Sequence, residues 1–141
     1  VLIPFFHDED YSVCRAIAGE LDGQAGCLTR KYLSEETLSI IGCMDVLVGV
    51  RLHSLIYAAV MGVPMIGISY DPKVDSFLAS IDRPTLCRVE EFTLEKFQEA
   101  FRDTMSHREA IRETTEARLD SLIEKLDQNE ELIRGIMERK K

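Results

Sequence analysis

The sequence predicts an α/β fold with a doubly wound parallel sheet, and three observations predict it. Short apolar runs alternate with segments of helical period along most of the 141-residue chain. The runs VLIPFF, DVLVGV and PMIGIS are apolar nearly throughout, which suits strands covered on both faces. Helix-opening signals follow the strands, the clearest being Asp71-Pro72, a capping residue with proline at the first helical position.

Taken in order, Val1–Phe6 reads as a first strand and Tyr11–Leu21 as a helix with Asp10 as N-cap. Gly26–Arg30 is a second strand. Ser34 opens a helix to about Met44, with Glu35 and Glu36 suited to its first turn. Asp45–Val50 is the third strand. Leu52–Met61 is a helix apolar nearly all round, hence buried, and Gly62 stops it. Pro64–Tyr70 is the fourth strand, followed by a helix to Ile81, and Thr85–Val89 is the fifth. The strand order expected from right-handed crossovers is 2-1-3-4-5, all parallel.

After Thr93 the pattern is helical to the end, with Phe92 and Phe97 spaced for a hydrophobic staple. Leu119, Leu122, Ile123, Leu126, Ile133, Ile136 and Met137 mark a narrow apolar stripe on a charged helix. Residues 1–107 are thus expected to form the α/β domain. Residues 108–141 form a C-terminal helix that packs on it or docks against a part of the protein outside this chain. The opening VLIPFF is too short for a signal peptide or a membrane span. It reads as a buried strand cut at its start, so the chain is expected to be a piece of a longer protein.

A hydrophobic content of 45% argues against disorder. The net charge of -8 disfavours nucleic acid or an anionic membrane as partner for the surface as a whole. Cys14, Cys27, Cys43 and Cys87 lie singly in apolar segments with no CxxC or Cys/His spacing. They read as buried, reduced thiols of a cytosolic protein, without disulfide or metal.

Chemistry concentrates between Val48 and Val74, where Arg51, His53 and Lys73 interrupt an otherwise apolar stretch. In an open parallel sheet, ligands bind outside the carboxyl ends of the strands. Arg51 and His53 follow the third strand, and Lys73 follows the fourth. Both places are helix N-termini, where a cation is unfavourable by roughly 0.3–1 kcal/mol. An anion between the two turns resolves both conflicts, with the N–H groups of Leu52, His53 and Ser54 as further donors. The plainer reading is a hydrogen-bonding His53, a solvated Lys73 and an Arg51 paired with Asp45 or Asp71; spacing alone leaves the two readings about even. His7, Asp8 and Asp10 follow the first strand and read first as a solvated loop with a cap. His107 reads as exposed between two helices.

The segments RLHSLIYAA, GVP and ISYDPKV together resemble the polysaccharide pyruvyl transferases, most closely the CsaB type. The resemblance covers Val1 to about Phe101. It implies a Rossmann-like domain, the C-terminal half of a GT-B-like architecture with its first strand missing. The implied activity is transfer of pyruvate from phosphoenolpyruvate to a sugar as a cyclic ketal. The sugar is that of a cell-wall polysaccharide that retains surface-layer proteins. The family's Arg-Leu-His segment, which lines the phosphoenolpyruvate site, falls on Arg51, Leu52 and His53. By the same resemblance no cofactor is needed, phosphoenolpyruvate being a substrate. The acceptor is a sugar, free or lipid-linked, and the location is cytoplasmic, at or away from the inner face of the membrane. An N-terminal domain supplies the rest of the site, so this chain alone is expected to be inactive.

Two other readings compete. A glycosyltransferase of the same architecture would use these basic residues on a nucleotide-sugar diphosphate. A receiver-like signalling domain also has five βα units, but needs an Asp where Arg51 stands. A docking module working through the last helix is a third, non-enzymatic option.

Overall fold

Helix boundaries in the second half of the chain follow the punctuation in the sequence, and those in the first half depart from it. The structure, a computed structural model, describes residues 1–138, with side chains described at 1–126 and 137. It divides into two compact units, Val1–Ile40 and Ile41–Lys141.

In the first unit, α1 spans His7–Glu20 and starts four residues earlier than the apolar pattern indicates. Asp10 is not its N-cap. Phe6 holds that position, and the Asp10 carboxylate accepts the Phe6 N–H at 2.9 Å from inside the helix. Asp8, Glu9 and Asp10 then place negative charge in the first turn, where the helix dipole favours it. The two strands expected here shrink to one parallel bridge between Leu2 and Cys27. Pro4 has no N–H to extend a ladder, and Phe6 is taken up as the helix cap. α2 spans Ser34–Ile41 and stops short of Met44, just before Gly42. At its start the Glu36 carboxylate accepts the Leu33 N–H at 2.8 Å and pairs with Arg30 at 2.8 Å.

The second unit holds the sheet: β1 (Leu47–Gly49), β2 (Met65–Ser69) and β3 (Thr85–Arg88), all parallel, in the order β1-β2-β3. These are the third to fifth expected strands, adjacent as expected. The first two are not among its strands. The crossovers are α3 (Leu52–Val60) and α4 (Pro72–Ser80). After β3 come a 3-10 turn at Val89–Glu91, α5 (Leu94–Ser106) and α6 (Arg108–Glu138).

β2 is buried at all five positions, as a central strand with both faces covered must be. β1 alternates instead, and its Val48 is 45% exposed. The doubly covered reading of DVLVGV therefore fails on one face: α5 packs on β2 and β3, while Val48 stays open. Leu55 and Ala58 of α3 and Val74 and Leu78 of α4 are fully buried. Gly62, at φ +65°, ends α3 as the sequence indicates.

The Thr93 hydroxyl accepts the Lys96 N–H and caps α5, and the Phe92 and Phe97 rings meet at 6.0 Å as a hydrophobic staple. α6 packs on α3 and α5 through its first turns, where Ile111 and Thr115 are buried. Further along, Leu119 and Leu122 are half-buried, while Ile123, Leu126 and Met137 are exposed. The stripe is thus only partly covered by this chain; Ile133 and Ile136 lie outside the described side chains. Among the described residues, no helix is long and apolar enough to cross a membrane. The cysteines correct the expectation of burial. Only Cys87 is buried, Cys14 and Cys27 are half-buried, and Cys43 is exposed.

Candidate functional site

The β1–α3 turn is built around the Arg51 carbonyl. Arg51 is the N-cap of α3, in extended backbone conformation. Its carbonyl accepts from the Ser54 hydroxyl at 2.6 Å, from the Ser54 N–H at 3.0 Å and from the Leu55 N–H at 3.4 Å. Ser54 is buried, so both its polar groups serve to brace Arg51. Leu52 and His53 occupy the first two helical positions, whose N–H groups no carbonyl of the helix can reach. Arg51 and Leu52 are half-buried and His53 is exposed.

Gly49 is what allows this turn to sit close to the strand. A Cβ there would lie 2.6 Å from the Ser54 hydroxyl oxygen and 3.0 Å from a Leu55 methyl. The β1–β2 register then sets the neighbourhood. Gly49, the last residue of β1, is level with Gly67, and β2 runs on to Ser69, so the turn holding Arg51 and the turn after Ser69 both leave the same edge of the sheet. α3 and α4 also touch. The two turns are therefore neighbours on the carboxyl edge of the sheet.

The β2–α4 turn carries Lys73. Asp71 caps α4 by accepting the Lys73 N–H at 2.9 Å, and Pro72 holds the first helical position, as the sequence indicates. The Lys73 ammonium lies 3.5 Å from the other Asp71 oxygen and 5.7 Å from the centre of the Tyr70 ring. It remains more than half exposed. Below it, the fully buried Ser69 hydroxyl lies 3.3 Å from the Asp71 carbonyl and 2.8 Å from the Asp75 carboxylate. The other Asp75 oxygen accepts from the Thr85 hydroxyl at 2.8 Å. These two hydroxyl bonds, with the charge of Arg88 assisting, hold the Asp75 carboxyl below its ordinary range.

Sequence reasoning passed over Ser69, Asp75, Thr85 and Arg88. Arg88 ends β3, pairs in register with Ser69 and is exposed, which adds a third basic residue to the same edge. Its position as the last residue of TLCR is the signal that marks it. Asp75 is harder to read, because an acidic residue in a first helical turn suits the dipole whatever else it does.

Other candidates stand apart from this edge or within the other unit. In the first unit, His7 opens α1 and stacks on Tyr11 at 4.8 Å, and its Nε2 is buried without a partner. Asp8 lies 3.8 Å from its Nδ1. His107 is exposed between α5 and α6 and pairs with Asp103 at 3.0 Å. Asp45, expected as an alternative partner of Arg51, lies 3.9 Å from Arg108. A cleft of about 210 Å³ near Asp45, Gly62 and Arg112 lies at the opposite, amino end of the strands. Among the described residues, no cluster of three or more His, Cys, Asp or Glu is placed to hold a metal ion.

The arrangement offers a half-buried guanidinium, an exposed imidazole, an exposed ammonium and the first two N–H positions of a helix along two adjacent strand ends. Such a set can neutralise a small polyanion and exchange a proton with it. No curated protein and no solved structure matches the chain. The sequence model of the family described as polysaccharide pyruvyl transferase matches residues 1–72, just over half of the chain, and takes in the whole β1–α3 turn. By that match, the chain belongs to the polysaccharide pyruvyl transferase family.

Proposed function

We propose that the carboxyl edge of this sheet is the donor site of a transferase that moves pyruvate from phosphoenolpyruvate to a sugar of a cell-wall polysaccharide, as a ketal. The observation that carries the reading is the adjacency of the Arg51–His53 and Asp71–Lys73 turns at the ends of neighbouring parallel strands. Phosphoenolpyruvate bears a phosphate and a carboxylate. The planar fork of Arg51 suits either group, and Lys73 supplies a point charge for a phosphate oxygen. The N–H groups of Leu52 and His53 add backbone donors, and Ser54 keeps Arg51 in place.

The reaction needs one proton at the methylene carbon of the donor. His53, exposed and at the helix start, is the group proposed to deliver it. Protonation makes C2 electrophilic, and one sugar hydroxyl attacks it, giving up its proton. A second hydroxyl then displaces phosphate from C2 and closes the ketal, its proton leaving with the phosphate. Two C–O bonds to the sugar form and the C–O bond to phosphate breaks. The fixed cations lower the barrier by holding the phosphate as it departs. A surface-layer-retaining polysaccharide as acceptor, the CsaB subtype, and a cytoplasmic place of work belong to the same reading.

Titration calorimetry on the full natural protein tests it. Binding of phosphoenolpyruvate that is lost in Arg51→Ala and Lys73→Ala supports the reading. Binding of nucleotide-sugars with none of phosphoenolpyruvate overturns it and favours a glycosyltransferase.

A further inference from the structure

The Lys73 ammonium sits on a long, flexible stem, yet the turn that carries it is tied at three points. Asp71 accepts the Lys73 N–H at 2.9 Å. The Ser69 hydroxyl, fully buried, donates to the Asp75 carboxylate at 2.8 Å, with the Asp71 carbonyl 3.3 Å from the same oxygen. Thr85, on the neighbouring strand, donates to the second Asp75 oxygen at 2.8 Å. Asp75 therefore clasps the end of β2, the start of β3 and the first turn of α4 together. Val74, between Lys73 and Asp75, is fully buried and gives the turn a hydrophobic anchor.

We infer that Asp75 is the positioning residue for Lys73, its carboxylate fixing the β2–α4 turn in the shape that presents the ammonium to the anionic donor. This rests on the reading of the edge as a phosphoenolpyruvate site. A negative charge this close to an anion site is otherwise a liability, because it lowers the potential that Lys73 and Arg88 create. Its two hydroxyl bonds give it a use that offsets the cost. A preorganised cation binds an anion better than a mobile one, since no ordering is needed at the moment of binding.

Charge and geometry make opposite predictions, which gives a sharp test. Asp75→Ala removes a negative charge, which by itself strengthens anion binding, and it also removes the clasp. Asp75→Asn removes the same charge but leaves two hydrogen-bonding atoms in place, since both hydroxyls can reorient to meet an amide. Binding of phosphoenolpyruvate to the full natural protein is measured by calorimetry, well below the melting temperature of each variant. Asp75→Ala is expected to bind about tenfold more weakly than wild type. Asp75→Asn is expected to bind as well as wild type or better. Thr85→Ala, which opens one of the two bonds and leaves the charge, is expected to lose affinity by a smaller factor. It replaces Asp75→Ala as the deciding variant if the latter does not fold.

Hydrogen exchange adds a readout without ligand: the Lys73 amide is expected to exchange faster in Asp75→Ala and not in Asp75→Asn. Wild-type protein that fails to bind phosphoenolpyruvate sinks the reading of the site and this inference with it. Wild-type protein that binds while Asp75→Ala binds equally well or more tightly sinks the inference alone.

Discussion

Gly49 and Ser54 approach so closely that a Cβ on Gly49 would stand 2.6 Å from the Ser54 hydroxyl oxygen. That hydroxyl in turn donates to the Arg51 carbonyl at 2.6 Å. The strand, the helix start and the candidate site are thus linked through one absent methyl group. Gly49→Ala is expected to destabilise the fold by about 1–3 kcal/mol, the usual cost of overpacking. Urea unfolding measures it. Part of that cost should vanish in a Ser54→Ala background, which removes the closest atom. Strictly additive costs in the double variant would show that Ser54 is not what the methyl meets.

The residues that made the second unit legible are those with a single mechanical role. Asp71-Pro72, Gly62, Thr93 and the Phe92/Phe97 pair each set a backbone boundary by local chemistry, and each boundary stands where the sequence places it. The three parallel strands were legible for the same reason: each run is closed by a turn and a helix start. VLIPFF misled because apolar character alone does not make a ladder. Pro4 has no N–H, and Phe6 serves a helix instead. Asp10 looked like a cap because it precedes an apolar-periodic helix, yet helix formation runs back through His7 and Asp8. The Ser69–Asp75–Thr85 clasp was not legible, since its partners are 6 and 10 residues from Asp75 and meet only through the β2–β3 pairing.

Two carboxylates are expected to contribute to the acid limb of stability. Asp75 is held below its ordinary range by hydroxyl bonds from Thr85 and Ser69, and Glu36 by Arg30 and the Leu33 N–H. A depressed folded-state value means the unfolded chain binds the proton first. The stabilisation is therefore complete above the unfolded values of about 4. It is lost as pH falls through the lower folded values. Stability measured by denaturant between neutral pH and pH 2 is expected to drop on this limb. The drop should be shallower in Asp75→Asn and in Glu36→Gln. Curves of identical slope in wild type and both variants would show that neither group carries the effect.

Thiol reactivity should rank the cysteines by their surroundings. Cys43 is exposed and is expected to be alkylated first. Cys14 is half-buried, and burial together with the neighbouring Cys27 thiol pushes its pKa up. It should react slowly near neutral pH and accelerate as pH rises, because the thiolate is the nucleophile. Cys87, 7% exposed in β3, should react only on unfolding. Timed labelling with iodoacetamide and peptide mass spectrometry gives the order directly. Modification of Cys87 as fast as Cys43 in the folded protein would contradict the packing of β3.

The proposed division of labour between Arg51 and His53 predicts that their variants differ in kind. His53→Ala removes the proton donor but none of the fixed cations, so its main loss should be in kcat, by roughly 10²–10⁴-fold for a general acid. Arg51→Lys keeps a charge but loses the planar fork, so donor binding should weaken as well. Ser54 bonds to the Arg51 carbonyl and not to its side chain, so the turn itself should survive either change. Loss of kcat alone in Arg51→Lys would still fit a fork that grips the departing phosphate more tightly than the bound donor. His53 is therefore the deciding residue. Steady-state kinetics with saturating phosphoenolpyruvate on the full natural protein supply the measurement. A His53→Ala variant with near-wild-type kcat would return His53 to the role of an exposed residue at a helix start. The proton would then have to come from another group of the transferase.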